Sequence, residues 1–188
     1  MGYGMIADVG NLLTAILCQE LVPDVIAHDY NIGLCSPDDH GDLSLSIYLY
    51  DINQNDGMPF SGMASAGVGR QRYPSAYLDL FYMVTAYSGS DIKFRAAEEH
   101  RILGKVIQAF RDHSILGEEQ LGHGVGVPAR IEMQRLDQQE KNRLWNFSNI
   151  PYKLSLFYRV CPVEISSGRT RDIVRVRDIG FTVQEGGE

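Results

Sequence analysis

The chain has 188 residues, of which 44% are apolar and 22% are charged, as in an ordinary globular protein. A chain of this length fits one domain, residues 1–188, and buries about 70% of its unfolded surface, so it needs no disulfide or metal to hold its fold. The net charge of −7 argues against nucleic acid as a partner, because phosphate contacts need clustered Lys and Arg.

The cysteines and the apolar runs predict where the protein is made. Cys18, Cys35 and Cys161 are far apart and sit in apolar stretches, which indicates reduced, buried thiols and not a zinc site. Residues 1–10 lack the basic and apolar regions of a secretory signal. The longest apolar runs fall far short of the roughly 20 residues that span a bilayer. We therefore expect assembly in the cytoplasm and no membrane insertion.

The first predicted element is an amphipathic helix that ends at Pro23. Its apolar residues recur at helical spacing: Ile6, Val9, Leu12, Leu13, Ile16, Leu17 and Leu21. A short strand is expected within residues 25–34, and residues 36–41 have the composition of a turn. The next segment, Leu43–Asp51, alternates as a strand does. One side carries Leu43, Leu45, Ile47 and Leu49, and the other carries Ser44, Ser46, Tyr48 and Tyr50.

Residues 53–74 are rich in Gly, Ser, Ala and Asn and show no periodicity, so we expect a flexible loop that orders on assembly. The strand predicted at Tyr77–Tyr87 is apolar on both faces, which is typical of a central strand covered on both sides. Residues 88–91 then cap the main helix. Its predicted inner stripe is Ile102, Leu103, Val106, Ile107 and Phe110.

The last third of the chain contains two glycine- or serine-rich connections and more strands. Residues 117–128 are predicted to be a loop, and the alternation of residues 129–136 predicts a strand. Its inward residues are Ile131 and Met133. Asp137 and Glu140 form a capping box for a short helix ending near Trp145. Two strands follow, at residues 152–165 and 172–183, joined by a hairpin. One face of the first carries Leu154, Leu156, Tyr158 and Val160.

This order of elements predicts the fold class. Several strands follow one another without crossover helices, which favours a mostly antiparallel or mixed sheet. We therefore expect an α+β fold with two main helices packed on one face of the sheet and a short third helix.

Three patterns suggest chemistry, and each has a simpler explanation. Ser65 lies in a GxxSxG run, which lacks the spacing and the leading strand of a nucleophile elbow. The cluster Asp38–Asp42 has oxygen ligands that hard cations prefer, but this composition is also ordinary for turns. The GxGxG at residues 122–126 is followed by Pro128 and a strand pattern, not by the helix that a phosphate loop needs. The sequence therefore predicts no enzyme, cofactor or metal site.

Aromatic residues on strands are the stronger signal. Tyr48 and Tyr50 project from one side of their predicted strand, and tyrosine is favoured at protein interfaces. The alternative, in which they fill the core of the sheet, is equally consistent with the pattern. Arg175 and Arg177 alternate with valines on the last predicted strand, as on an edge strand that pairs with a partner. We expect these four residues at an interface.

Five segments of the chain together resemble one protein family. They are Asn31–Pro37, Leu45–Asp51, Tyr73–Ser88, Glu99–Gln108 and Leu144–Ile165. They are similar to the tail-terminator, or cap, proteins of extracellular contractile injection systems, the phage-tail-like particles typified by the Photorhabdus virulence cassettes and the antifeeding prophage. The resemblance covers most of the chain, but not residues 53–72 or the last dozen residues.

The resemblance implies a homohexameric ring on the end of the inner tube and sheath, where it stops polymerisation and fixes length. The expected partners are further copies of the chain and the tube and sheath proteins of the tail. The protein would assemble in the bacterial cytoplasm and end on the finished particle. The alternative is a baseplate or anchoring adaptor of the same particle, and a small hydrolase or metal enzyme is a third hypothesis.

Overall fold

The computed structural model describes residues 3–58, 62–122, 126–147 and 150–172. Its helices are α1 (Met5–Leu21), α2 (Ile92–Asp112), α3 (Glu118–Leu121) and α4 (Gln138–Leu144). Its strands are β1 (Ile32–Leu34), β2 (Leu45–Gln54), β3 (Ala64–Ser65), β4 (Arg70–Arg72), β5 (Ala76–Ala86), β6 (Ile115–Leu116), β7 (Ala129–Met133), β8 (Ser155–Ile165) and β9 (Thr170–Asp172). Two 3-10 turns span Asp29–Asn31 and Pro37–Asp39.

Six strands form the main sheet, in the order β1-β2-β5-β8-β7-β6. Only β1 and β2 run parallel to each other, and every other neighbouring pair is antiparallel. The two long strands β5 and β8 occupy the centre, as the apolar residues on both faces of β5 predict. The expected α+β fold with a mostly antiparallel or mixed sheet is confirmed.

The main core lies between this sheet and two helices on one face. Leu13 and Leu17 of α1 and Val106 and Phe110 of α2 are buried against the sheet. Lateral contact between the helices is reinforced by Glu20, whose carboxylate lies 3.5 Å from Lys105 Nζ and 3.0 Å from His113 Nε2. The packing of both main helices on one face is therefore as expected.

Two residues predicted to face inward, Ile107 and Met133, are substantially exposed, and so is Leu154, which was predicted to share one face of its strand with Leu156. Ile107 is 40% exposed, and Ala109 takes its place in the buried stripe of α2. Met133 and Leu154 are each more than half exposed. Met133 is the last residue of β7 and Leu154 precedes β8, so both lie at the ends of strands. The alternation of apolar and polar residues therefore predicts the strands correctly, but not which residues at their ends are exposed to solvent.

Two predicted loops contain regular structure. Within the expected flexible loop 53–74, β2 continues to Gln54, and β3 and β4 pair with β9 in a separate three-stranded sheet. The expected loop 117–128 begins with the short helix α3. The last strand, predicted at 172–183, lies almost wholly outside the described residues, which end at residue 172 with β9. No helix in the described ranges is both long and apolar enough to cross a bilayer.

Tyr82 lies in the centre of the core and provides a first test of the packing. Its ring is 1% exposed, and its hydroxyl is buried without a hydrogen-bond partner among the described residues. Burial raises the pKa of this phenol, so the hydroxyl stays protonated. Because an unpaired buried hydroxyl costs about 1–3 kcal/mol, we expect Tyr82→Phe to leave the free energy of unfolding unchanged or raise it by about 1 kcal/mol. Urea denaturation measures this, and a clear loss of stability would mean that the hydroxyl has a partner.

Candidate assembly surfaces

A second, aromatic cluster covers the face of the sheet opposite α1 and α2. Its buried members are Met83 of β5, Phe157 of β8 and Trp145. Around them pack six partly buried residues: Tyr48, Tyr50, Leu136, Leu144, Phe147 and Ile150. The sheet is therefore covered on both faces, by two long helices on one and by α4 with its flanking segments on the other.

The short helix α4 begins with the capping box that the sequence predicts. Asp137 Oδ1 accepts from the Glu140 backbone N–H, and Glu140 Oε2 accepts from that of Asp137, each at 2.8 Å. Trp145 follows directly after the helix, with its ring 5.8 Å from Phe147 and 5.8 Å from Tyr152. The capping box thus stabilises the start of α4, and the Trp145 side chain at its end packs on the sheet.

Tyr48 and Tyr50 both belong to this aromatic cluster. Tyr48 contacts Phe147 edge-on with ring centroids 6.1 Å apart, and Tyr50 contacts Phe157 in the same way at 6.0 Å. Both tyrosines are half-buried. Burial, with the carboxylates of Asp51 and Glu140 nearby, raises the pKa of Tyr50 to about 12, so it stays neutral. The two tyrosines therefore serve intramolecular packing and still present part of their surface.

A polar cluster lies at the end of β2, where the chain leaves the main sheet. Arg159 Nε lies 3.1 Å from Asp79 Oδ2, and Asn55 donates to Asp79 Oδ1 at 2.6 Å. Glu132 lies 4.0 Å from the same arginine. Since Asn55 follows the last residue of β2, these contacts hold the base of the excursion that leads to β3 and β4.

The small sheet formed by β3, β4 and β9 is what we call the arginine ribbon, and it comprises residues 64–73 and 169–172. It continues the ladder of β5 and β8: Ala76 pairs with Ile165, the Tyr73 N–H donates to the Arg169 carbonyl at 3.0 Å, and Arg72 pairs with Thr170. Most residues of its three strands are exposed, and none is buried. The ribbon therefore has no hydrophobic core of its own.

The acidic turn after β1 is held in place by an aromatic side chain at the end of β5. His40 stacks on the Tyr87 ring with centroids 3.7 Å apart, and the Tyr87 hydroxyl donates to the Pro37 carbonyl at 3.5 Å. Asp38 and Asp39 lie in the 3-10 turn. Within the described ranges, no group of three or more His, Cys, Asp or Glu side chains is arranged to hold a metal ion.

The remaining candidate residues are not brought together in a pocket. Ser65 is exposed on β3, in the arginine ribbon. Gly122 follows α3 with a φ of 90°, and residues 123–125 of the GxGxG lie outside the described residues. Arg175 and Arg177 also lie outside them. The arginine ribbon itself was missed by the sequence prediction, although the density of arginine at residues 70–72 and 169–171 marks it.

Comparison with solved structures identifies the fold. The chain is similar to the sheath/tube terminator of the extracellular contractile injection system PVC in its extended state, with 22% identity and a TM-score of 0.69 over 97% of this chain and 64% of that chain. It is also similar to the tube-terminating cap of the anti-feeding prophage, with 22% identity and a TM-score of 0.64 over 94% of this chain and 61% of that one. The chain thus spans less than two thirds of either protein.

Comparison with sequences gives the same result for the family. No curated protein matches the chain. Residues 8–177 match the family described as the Pvc16 N-terminal domain, a stretch that includes the five segments on which the resemblance was based. The expected resemblance is thereby confirmed, and the protein belongs to the Pvc16 N-terminal domain family.

Proposed function

We propose that this chain is a structural cap that terminates the tube and sheath of a phage-tail-like contractile injection system. The observation that carries the proposal is that nearly the whole chain shares its fold with two terminators from different particles. Both of those proteins terminate a tube or a sheath. A cap of this kind catalyses no reaction and needs no cofactor, because it acts by binding neighbouring proteins through its surface.

The proposed oligomer is a homohexameric ring. A contractile tail is a stack of six-fold layers, so its end presents six equivalent sites. Head-to-tail contacts between identical subunits close into a ring when each contact rotates the next subunit by about 60°. A ring of this kind presents one surface to the last tail layer and a different surface outward, which stops polymerisation and fixes length.

The proposed partners are other copies of the chain and the tube and sheath proteins. The contact residues that we propose for these interfaces are Tyr48 and Tyr50, through the part of their surface that packing leaves free, and Arg175 and Arg177. Tyrosine combines a large apolar area with a polar tip, and outward arginines on a strand protect it from unspecific pairing. The protein would assemble in the bacterial cytoplasm and remain at the end of the finished particle.

The alternative is a baseplate or anchoring adaptor of the same particle, and the position of the protein on the particle separates the two. Tyr3 is 98% exposed, so an amino-terminal epitope tag should not disturb the fold. We expect gold-labelled antibody against the tag to mark only the end of the particle distal to the baseplate in electron micrographs. Label at the baseplate would support the adaptor and contradict the cap.

A further inference from the structure

The charges of this chain are divided along its length. Residues 1–69 contain nine Asp and Glu and not a single Lys or Arg. All 17 Lys and Arg follow from Arg70 onward, together with the other 15 of the 24 acidic residues. This change of sign occurs within the arginine ribbon, at the start of β4, so the first Lys or Arg of the chain belongs to the ribbon.

One face of the arginine ribbon presents two arginines that pair with no carboxylate among the described residues. Side chains alternate along a strand, and the cross-strand pair Gln71 and Arg171 places Tyr73 and Arg169 on the same face. Arg171 donates through Nε and Nη2 to Gln71 Oε1 at 3.3 and 3.0 Å, and the Arg169 guanidinium lies 4.3 Å from the centre of the Tyr73 ring. Within the part of the chain that the structure describes, both guanidinium groups thus have neutral partners, which orient the two positive charges without neutralising them.

The opposite face of the ribbon differs, because its charge is partly compensated. There Arg70 Nε lies 3.1 Å from the Asp172 carboxylate, and both side chains are largely exposed. Arg72, opposite Thr170, lies on the same face as Arg70. Among the described residues, that face therefore carries two arginines and one carboxylate, whereas the face of Arg169 and Arg171 carries two arginines and no carboxylate. Strands that are exposed on both faces bury little apolar surface, so contact with a partner would supply what the fold of the single chain does not.

The acidic end of the molecule lies at the far end of the same central strand. The ribbon continues from the start of β5 at Ala76, whereas Tyr87, directly after β5, holds the acidic turn with its exposed Asp39 and Asp42. An 11-residue strand rises by about 3.4 Å per residue, which separates the two surfaces by roughly 35 Å. Two different surfaces at opposite ends of a subunit suit head-to-tail contact.

The acidic end also contains a concave site. Next to Tyr87 lies an open groove of about 310 Å³ whose lining includes Asp24, Glu98 and one cation, Arg101. Glu98 accepts hydrogen bonds from the Ser88 and Ser90 hydroxyls, which lower the pKa of its carboxyl group and keep it ionised. A guanidinium group that enters this groove would therefore meet the Glu98 carboxylate in its charged form.

We propose that the arginine ribbon of one subunit docks on the acidic end of the next copy of the same chain. Arg169 and Arg171 supply the charge on one side, and Asp39 and Asp42, with the groove of Asp24 and Glu98, supply it on the other. This inference builds on the ring of the proposed function and names its two contact surfaces. Each subunit uses its ribbon once and its acidic end once, so the contact repeats around the ring.

Charge reversal on either surface tests the contact, and mixing makes the test specific. Arg169→Glu with Arg171→Glu turns the ribbon acidic against an acidic partner surface, and Asp39→Lys with Asp42→Lys places two cations in the acidic turn opposite the arginines. Because like charges that face each other across an interface cost several kcal/mol, we expect each double variant alone to associate at least about a hundredfold more weakly. Mixed in equal amounts, the two variants regain opposite charges at every contact, and native mass spectrometry should show rings in which they alternate.

Matched controls reverse the same number of charges elsewhere. Arg111→Glu with Arg130→Glu, and Glu118→Lys with Glu119→Lys, change exposed residues outside both surfaces and should leave the ring intact. Salt should dissociate the wild-type ring, because the Debye length falls from about 10 Å at 0.1 M to 3 Å at 1 M. A wild-type chain that stays monomeric, rings formed by either double variant alone, or a mixture that stays dissociated would overturn the docking.

The outcome is independent of the test of the cap. Tail lengths in a deletion strain complemented with each variant report on capping, whereas native mass spectrometry of the purified chain reports on subunit contact. Failure of the mixing experiment with normal control of tail length would remove this contact and leave the cap. If the mixed variants form alternating rings but tail length does not depend on the protein, the proposed contact stands and the proposed cap is contradicted.

Discussion

Replacing Phe110 by alanine is expected to lower the free energy of unfolding by about 3–5 kcal/mol, the usual cost of truncating a buried aromatic side chain. Phe110 is 2% exposed on the inner face of α2, and its ring meets Tyr158 of β8 edge-to-face with centroids 4.9 Å apart. The truncation removes the main aromatic contact between α2 and the sheet and leaves a cavity. Urea denaturation followed by circular dichroism measures the loss.

Ile107 is the matched control for Phe110, because it lies one turn earlier on the same helix. The sequence pattern places it on the inner stripe, but the structure exposes 40% of it. Truncation of a partly exposed side chain removes less apolar contact, so Ile107→Ala should cost about 1 kcal/mol or less. Equal losses at the two positions would contradict the orientation of α2 described above.

Trp145→Ala is expected to destabilise the opposite face by about 3 kcal/mol, near the lower end of the range for buried aromatic residues. Trp145 is 6% exposed and joins the end of α4 to Met83 and Phe157. The capping box at Asp137 and Glu140 holds the start of the helix, whereas Trp145 holds its end. Without the tryptophan, α4 should open locally, and hydrogen exchange of residues 138–144 should rise before that of α1 and α2.

Two further variants control for the tryptophan. Trp145→Phe keeps an aromatic ring in the cluster and should recover most of the stability, because the indole N–H has no partner among the described residues. Tyr152→Ala removes a neighbour that is 46% exposed and should cost about 1 kcal/mol or less. If Tyr152→Ala were as damaging as Trp145→Ala, the aromatic cluster would be centred elsewhere.

The elements with strong periodicity were predictable from the sequence. The apolar spacing in α1, the alternation in β2, the apolar faces of β5 and the capping box of α4 each reflect local rules, and each element forms where these rules indicate. Burial at the ends of elements was not predictable. Met133 and Leu154 follow the alternation, but the extent of the covering layer depends on tertiary packing that no local window contains.

The arginine ribbon was not predictable because its pairing is distant in the chain. Arg70 and Asp172 are register partners, yet about a hundred residues separate them. Its glycines and serines indicate a loop when they are read locally, and its three strands are only two or three residues long. The position of Tyr48 and Tyr50 is a second limit, because alternation identifies the face they share but not whether the same chain or a partner covers it.

The length of contractile tails in a strain that lacks this protein tests the proposed cap most directly. A ring that stops polymerisation should leave tubes and sheaths of broad or excessive length when it is absent, and complementation with the wild-type chain should restore one uniform length. Electron micrographs of purified particles give the length distribution. Particles of normal, uniform length without the protein would contradict the cap.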